Sequence, residues 1–238
     1  MRVAAISDIH GNLPALEAVL ADLEQEEIDR IVVVGDTISG PWPVEVFDVV
    51  AGLGADVVRG NADREVSERS ERFGQLAPWC ADLLGPERLA TAARWPLTRQ
   101  LEIDGLGRAL VCHSTPASDD PIYTSITPED ELVDVLGDVE ADILVCGHTH
   151  MQYDRRLSNG LRIVNPGSVG MPYEGRPGAY WALLGPRVGF RRTEYDVTSA
   201  SDAIRELRAP VDEQLLSYLV EPPSPNETTA YFESLRGA

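Results

Sequence analysis

The sequence predicts an α/β protein, and three observations carry that prediction. Short β-branched apolar runs alternate with helix-patterned segments through most of the chain, a rhythm that neither an all-helical nor an all-β protein shows. The 238 residues are 43% apolar, and a chain of this length buries roughly 70% of its unfolded surface without needing a disulfide or structural metal. The longest apolar runs, such as Ile31–Val34 and Ile143–Cys146, fall far short of the ~20 residues that span a bilayer.

Each element has its own signal. Val3–Ile6 is the first strand. Leu16, Val19, Leu20 and Leu23 share one helical face behind Pro14 and predict a helix from about Asn12 to Glu27, its acidic end a solvated face. Ile31–Val34 is the second strand, Pro43 to about Ala51 the second helix, and Asp56–Val58 the third strand. From Glu65 to Arg94 the rhythm breaks. Mixed residues punctuated by Pro78 and Gly85-Pro86 predict short helices inserted as a cap over about 65–95, a candidate substrate-selecting element. Strands resume at Ala109–Cys112 and Ile143–Cys146, with a helix between them from Pro128 to Leu136 behind a Thr127-x-x-Asp130 capping box. After His150 the pattern changes to hairpins. Tyr153–Leu157, the Asn159-Gly160 turn, Leu161–Val164, Tyr180–Leu184 and Val188–Tyr195 read together as a second, antiparallel sheet. The chain is helical again from Thr198 to about Leu207, and Pro210, Pro222-Pro223 and Pro225 punctuate a helical tail over about 198–238.

Composition narrows the function. With 20 basic and 39 acidic side chains the formal charge is −19, which disfavours stable complexes with nucleic acid or anionic membrane, since those partners want basic patches. Every basic residue is arginine. The three cysteines, Cys80, Cys112 and Cys146, form no CxxC pair, and an odd count suits a reducing compartment. The N-terminus enters strand-like sequence without a long apolar leader, so a cytoplasmic location is expected.

All four histidines follow strand-like runs, as do matching carboxylate or amide residues. The first strand leads to Asp8-x-His10, the second to Asp36, the third to Asn61-Ala62-Asp63, the fourth to His113, and the fifth to His148-Thr149-His150. If the strands run alike, these ends converge at one sheet edge, where α/β proteins bind ligands. Imidazole, carboxylate and amide atoms suit transition metals. Seven such residues are too many for one four-coordinate ion, whereas two ions sharing a carboxylate would use them all; no cysteine need be a ligand.

Asp8-x-His10, Gly35-Asp36, Gly60-Asn61-x-Asp63, His113 and Gly147-His148-Thr149-His150, in this order over roughly residues 1–185, resemble the calcineurin-like metallophosphoesterase superfamily. The run from Asp8 to Leu16, Gly40-Pro41 and Asn165-Pro166-Gly167-Ser168 further resemble its branch of small prokaryotic predicted phosphodiesterases. The resemblance implies one domain over 1–238, with two facing mixed β-sheets flanked by helices in a four-layer α-β-β-α sandwich. It implies that Asp8, His10, Asp36 and His150 hold one divalent ion and Asp36, Asn61, His113 and His148 another, with Asp36 bridging. It implies in-line attack on phosphorus by a bridging hydroxide, with Asp36, Asn61 and Asp63 as catalytic candidates. The metals are manganese, iron, zinc or nickel, among which this ligand set does not choose.

One position departs from that pattern. Ala62 stands where many members have a histidine thought to help the leaving group. An alanine cannot donate a proton, and losing a general acid forfeits ~10²–10⁴ in rate for a poor leaving group. Acidic leaving groups or another donor are therefore favoured; the resemblance implies phosphodiesterase activity in relatives that lack this histidine, so small diesters such as cyclic nucleotides are the expected substrates. Asp63, with no histidine to orient, is left to hold Arg64 or Asn61. Asn12, Asn61 and Arg64 are the substrate-binding candidates, although Asn12 also suits a helix cap and Arg64 an ordinary surface. Trp42, Tyr123 and Tyr173 could stack on a base or simply pack. Asn165-Pro166-Gly167-Ser168 reads better as a support for the ligand strands than as a lining of the site. Two other functions stay open: a phosphomonoesterase or protein phosphatase, and a metal-binding scaffold without turnover. The oligomeric state is not legible.

Overall fold

The first strand already shows what kind of sheet it joins. In β1 (Val3–Ile6) all four residues are buried, because alternate side chains serve two different cores: Ala4 and Ile6 face one, Val3 and Ala5 the other. A strand buried on both faces belongs to the middle of a layered fold. In the computed structural model, which describes residues 1–72 and 74–236, β1 lies at the centre of a five-stranded sheet.

That sheet has the order β10-β9-β1-β2-β3. β2 (Arg30–Val34) and β3 (Asp56–Val58) run parallel to β1. β9 (Ala179–Leu184) returns antiparallel on the other side of β1, and β10 (Val188–Thr193) completes the hairpin. The second sheet is β4-β5-β6-β8-β7: β4 (Thr98–Ile103), β5 (Gly107–Cys112), β6 (Ile143–Val145), β7 (Gln152–Arg156) and β8 (Arg162–Pro166). β5, β6 and β8 are mutually parallel there.

Side-chain clusters separate the layers. Val3, Ala5, Val32 and Val34 meet Val111, Val145 and Val164 between the sheets. On the outer face of the first sheet, Ala4, Ile6 and Val33 pack under α1 (Leu13–Leu23) and α2 (Pro43–Gly52) through Leu16, Val19, Val46 and Val50. On the outer face of the second, Cys112, Leu144 and Ile163 pack under α5 (Glu129–Leu136) through Leu132 and Leu136. The result is the four-layer α-β-β-α sandwich that the resemblance implies.

The predicted cap at 65–95 is helical. α3 (Asn61–Glu68) and α4 (Leu76–Ala92), kinked at Gly85-Pro86, pack on α2 around Ile38, Phe47, Val66 and Cys80. The tail forms α6 (Val197–Leu207), α7 (Glu213–Val220) and α8 (Pro225–Leu235).

Four readings need correction. The two late hairpins do not form one sheet: β7-β8 joins the second sheet and β9-β10 the first, because hairpin signals are local and do not say which edge a hairpin joins. Consequently the polar strand ends come from two sheets rather than one. Helix α1 ends at Leu23, since the acidic 24–27 segment opposes the negative end of the helix dipole. The Thr127-x-x-Asp130 capping box is absent: Pro128 is the N-cap and makes no side-chain cap, while Thr127 Oγ1 accepts from the Thr124 amide and donates to Glu233. Strand β4 had no sequence signal because it is an edge strand with exposed Arg99, Gln100 and Glu102.

Candidate metal centre

Five strands deliver the site residues to one seam. Asp8 and His10 follow β1, Asp36 follows β2, and Asn61 opens α3 just after β3, all from the first sheet. His113 follows β5 and His148 and His150 follow β6, from the second. Backbone hydrogen bonds lace the connecting loops: Asp8 N donates to Gly35 O (3.0 Å), His10 N to Asp36 O (2.9 Å) and Gly147 N to His113 O (2.9 Å).

The local backbone is strained where it carries these side chains. Asp8, His10, Asp36, His148 and His150 all have positive φ, between 46° and 71°, in a region that costs a non-glycine residue of order 1 kcal/mol or more. Two glycines make room. A Cβ on Gly60 would fall 2.1 Å from Asp36 Oδ1, and one on Gly35 would fall 2.5 Å from His113 Nδ1.

Asp36 is the shared member. Its Oδ2 lies 3.6 Å from His10 Nε2 and 3.3 Å from His113 Nε2. Asp8, His10, Asp36 and His150 form one group of converging ligand atoms, and Asp36, His113 and His148 a second, each within 4.8 Å of one another. Asn61 joins the second group, its Oδ1 3.1 Å from His113 Nε2. In the first, His150 Nε2 is 3.1 Å from both Asp8 Oδ1 and His10 Nε2. Ring orientation is set from behind, as metal-binding imidazoles require: His113 Nδ1 meets Val34 O at 2.8 Å and His150 Nδ1 meets Met171 O at 2.7 Å. Imidazole lone pairs and two almost fully buried carboxylates thus point at shared space. The donor set fits divalent cations.

The charges are mutually dependent. Burial works to raise Asp8, but the neighbouring His150 holds it below the ordinary carboxylate value. Asp36 likewise stays low against burial because of His113 and His10. Burial disfavours a charged His113, yet Asp36 outweighs it and pushes the imidazole up to about 10. His148 goes the other way, to about 4, through burial and the charge of His113.

Asp63 occupies a different place from the one expected. It holds neither Arg64 nor Asn61: Oδ1 accepts from the amides of Thr37 (2.8 Å) and Ile38 (3.0 Å), and Oδ2 from Gly60 (3.0 Å). It therefore ties the loop after Asp36 to the start of α3. Burial and the charge of Asp36 push it up to about 7, with those three amides opposing. Arg64 is turned to Asp119, with Nε 3.0 Å from Oδ1. Asn12 lines the cavity beside the site, but its amide is engaged: Oδ1 caps α1 at Ala15 N, and Nδ2 donates to Gly170 O and Tyr195 Oη.

The Asn165-Pro166-Gly167-Ser168 segment is a support. Asn165 Nδ2 donates to Gly147 O, and Ser168 Oγ donates to Asp8 O. Of the three aromatic candidates only Tyr173 reaches the site, stacked on His150 with ring centres 5.0 Å apart. Trp42 packs on Ile204, Leu216 and Leu219, and Tyr123 is buried under α5. Sequence reasoning missed Ser7, whose Oγ donates to Asp8 Oδ2, because a lone serine after a strand carries no signal. It also missed the tail residues that wall the cavity, since their helix pattern said nothing of where the tail returns.

A two-sheet sandwich with buried histidines and carboxylates converging at its seam defines a class, the metal-dependent phosphoesterases. The chain belongs to the calcineurin-like phosphoesterase superfamily, whose domain matches residues 1–184. It is 28% identical over 232 residues to the uncharacterized protein MJ0912 of Methanocaldococcus jannaschii, covering 87% of this chain and 93% of that one. It is 29% identical over 194 residues to phosphodiesterase YfcE of Escherichia coli, covering 77% and 87% respectively. Among solved structures, a metallophosphoesterase from Sphaerobacter thermophilus is 29% identical, with a TM-score of 0.75 over 93% of this chain and 98% of that one. The hypothetical protein PH1004 from Pyrococcus horikoshii shares the fold, with a TM-score of 0.79 at 22% identity over 94% and 99%.

Proposed function

We propose that the protein is a phosphodiesterase for small substrates, cyclic nucleotides among them, working through two divalent ions. Asp8, His10, Asp36 and His150 hold one ion and Asp36, Asn61, His113 and His148 the other, with Asp36 common to both. The observation that carries this reading is the placement of Asp36 Oδ2 between His10 and His113, at 3.6 and 3.3 Å. Ions held there would supply Lewis acidity toward phosphoryl oxygens and would lower the pKa of a bound water toward neutrality.

The protein's own residues then divide the remaining work. Asn61, at the first turn of α3, stands beside Asp36 and His113 with an amide that can touch both ion and ester. Asp63 acts through Asp36 and is a positioning residue. Ala62 also lines the cavity and donates nothing but its backbone N–H, which is bonded to Asp36 Oδ1 at 2.8 Å. Without a side-chain acid there, acidic leaving groups or a donor from elsewhere are favoured, and the name of the Escherichia coli relative supports the diester reading. The three cysteines are free and buried, as suits a cytoplasmic protein, and among the described residues no helix is long and apolar enough to cross a membrane.

The test is hydrolysis of paired aryl phosphate monoesters and diesters by chelator-stripped protein reloaded with manganese, zinc, nickel or iron. Metal-restored diester turnover is the expected result. A monoester preference overturns the assignment in favour of a phosphomonoesterase, and silence with two ions bound in favour of a scaffold.

A further inference from the structure

The cavity that opens onto the metal centre has two unlike walls. One is formed by His10, Asp36, Asn61, His148 and His150; the other by apolar side chains of the tail, Leu215, Leu216, Leu219, Phe232 and Leu235. Ile122 and Met171 join them from the loops after β5 and β8, and Leu76 and Ala77 from α4. The cavity, open to solvent on one side, has a volume of about 440 Å³, within the range of small-molecule sites.

The apolar wall is fastened to the metal centre rather than merely near it. Tyr173 stacks on His150 and meets Tyr218 of α7 edge-on at 6.0 Å and Phe232 of α8 at 6.2 Å. The Glu233 carboxylate on α8 accepts from Thr124 and Thr127, and Gly175 N donates to Pro223 O just before that helix.

The charges on the lining are one-sided. Beyond Asp36 it carries the carboxylates of Glu65 and Asp212, and among the described residues no arginine lines it; the chain has no lysine at all. A single phosphate can be met at the metal-ligand wall. A second phosphate would face hydrocarbon, Asp212 and Glu65, and the guanidinium beside Glu65, Arg72 at 3.7 Å, is already engaged with that carboxylate, an arrangement that low-dielectric surroundings penalise.

Resting on the phosphoesterase reading above, we infer that this cavity seats the apolar alkyl or aryl group of an ester carrying one phosphate, and that it selects against substrates bearing further phosphates. The tail and α4 are thus the specificity wall, and the metal-ligand residues fix only the end at which the phosphate sits.

Binding tests this independently of turnover. Alkylphosphonates from methyl to octyl would be titrated calorimetrically into manganese-loaded protein. In parallel, kcat/KM would be measured for the matching alkyl 4-nitrophenyl diesters. Burial of each methylene should raise affinity about fourfold until the cavity is filled, and Leu215→Asn should flatten that slope; Leu215 is 37% exposed, so its replacement is compatible with folding. An alkyl diphosphate should bind more weakly than the phosphonate of equal chain length. Affinity independent of chain length, no phosphonate binding, or tighter binding of the diphosphate would each overturn the inference. A chain-length slope in binding without hydrolysis of any ester would sustain the cavity assignment and remove the hydrolase reading. Turnover with a flat slope would do the opposite.

Discussion

Asp36 serves two ligand groups with one carboxylate, so Asp36→Asn is the most informative single change. The substitution keeps the side chain's shape and removes the charge that holds His113 protonated. Both ions should be lost together, with activity falling by at least about 10²-fold, since removing mere outer partners already costs 10–100-fold. Far-UV circular dichroism should stay unchanged; retained turnover with full metal content would contradict the shared role. Ala62→His addresses a different question. A histidine at the start of α3 adds a proton donor, and the ratio of monoester to diester turnover should rise by about 10². An unchanged ratio would show that this position does not set substrate class. The convergence of the candidate ligands was legible at this scale because strand-end polar residues in a fixed order carry a strong signal. Asp63 was misread: an acid at the third position of a helix that begins Gly60-Asn61 is a signature for bonding the preceding backbone amide, and that local rule explains its Gly60 contact better than the pairing expected with Arg64.

At the scale of elements, the tail depends on a few polar fastenings. Glu233→Ala removes the acceptor of two buried threonine hydroxyls and should destabilise the docking of α8 by about 1–3 kcal/mol. Amide exchange in α8 should accelerate while exchange in β1 is untouched; equal acceleration in both would mean that α8 is part of the global unfolding unit. The same contact has a pH signature. Burial works to raise Glu233, but hydrogen bonds from Thr124 and Thr127 and the pairing with Arg236 hold it below 4.5. A lowered carboxyl contributes stability that is complete above the unfolded value and lost as pH falls through the folded one, so α8 should loosen on acidification, not at alkaline pH. Most strands and helices could be read from periodicity. Sheet membership could not, because β7-β8 and β9-β10 show the same hairpin chemistry and differ only in the distant edges they join. β4 was invisible because solvent, rather than a packed neighbour, meets half of its side chains.

For the whole molecule, the seam between the sheets matters most. Its proposed ligands lie up to 142 residues apart, as Asp8 and His150 do, so a bound ion would tie the two sheets together and bind only the folded chain. Adding manganese to the metal-free protein should raise its melting temperature, with a gain of about 2.7 kcal/mol at a hundredfold excess over Kd. The gain should be larger at pH 8 than at pH 6. In the metal-free fold His113 is pushed up to about 10 and keeps its proton at both pH values, so an ion must displace that proton, and the displacement becomes easier as pH rises. A pH-independent gain would mean that His113 does not surrender a proton on binding. The net charge of −19 offers no obstacle to this, because divalent ions at the seam would reverse the local field that the distant surface imposes.

The order of parts along the chain has one more consequence. Every proposed metal ligand lies between Asp8 and His150, whereas much of the apolar wall that faces them comes from Ile204 to Leu235. On the reading proposed above, reaction and appetite would reside in different stretches of one polypeptide. A lineage that rewrote its last forty or so residues could change its diet while keeping its teeth, and kinship read from the first 150 residues alone would foretell the bite but not the meal.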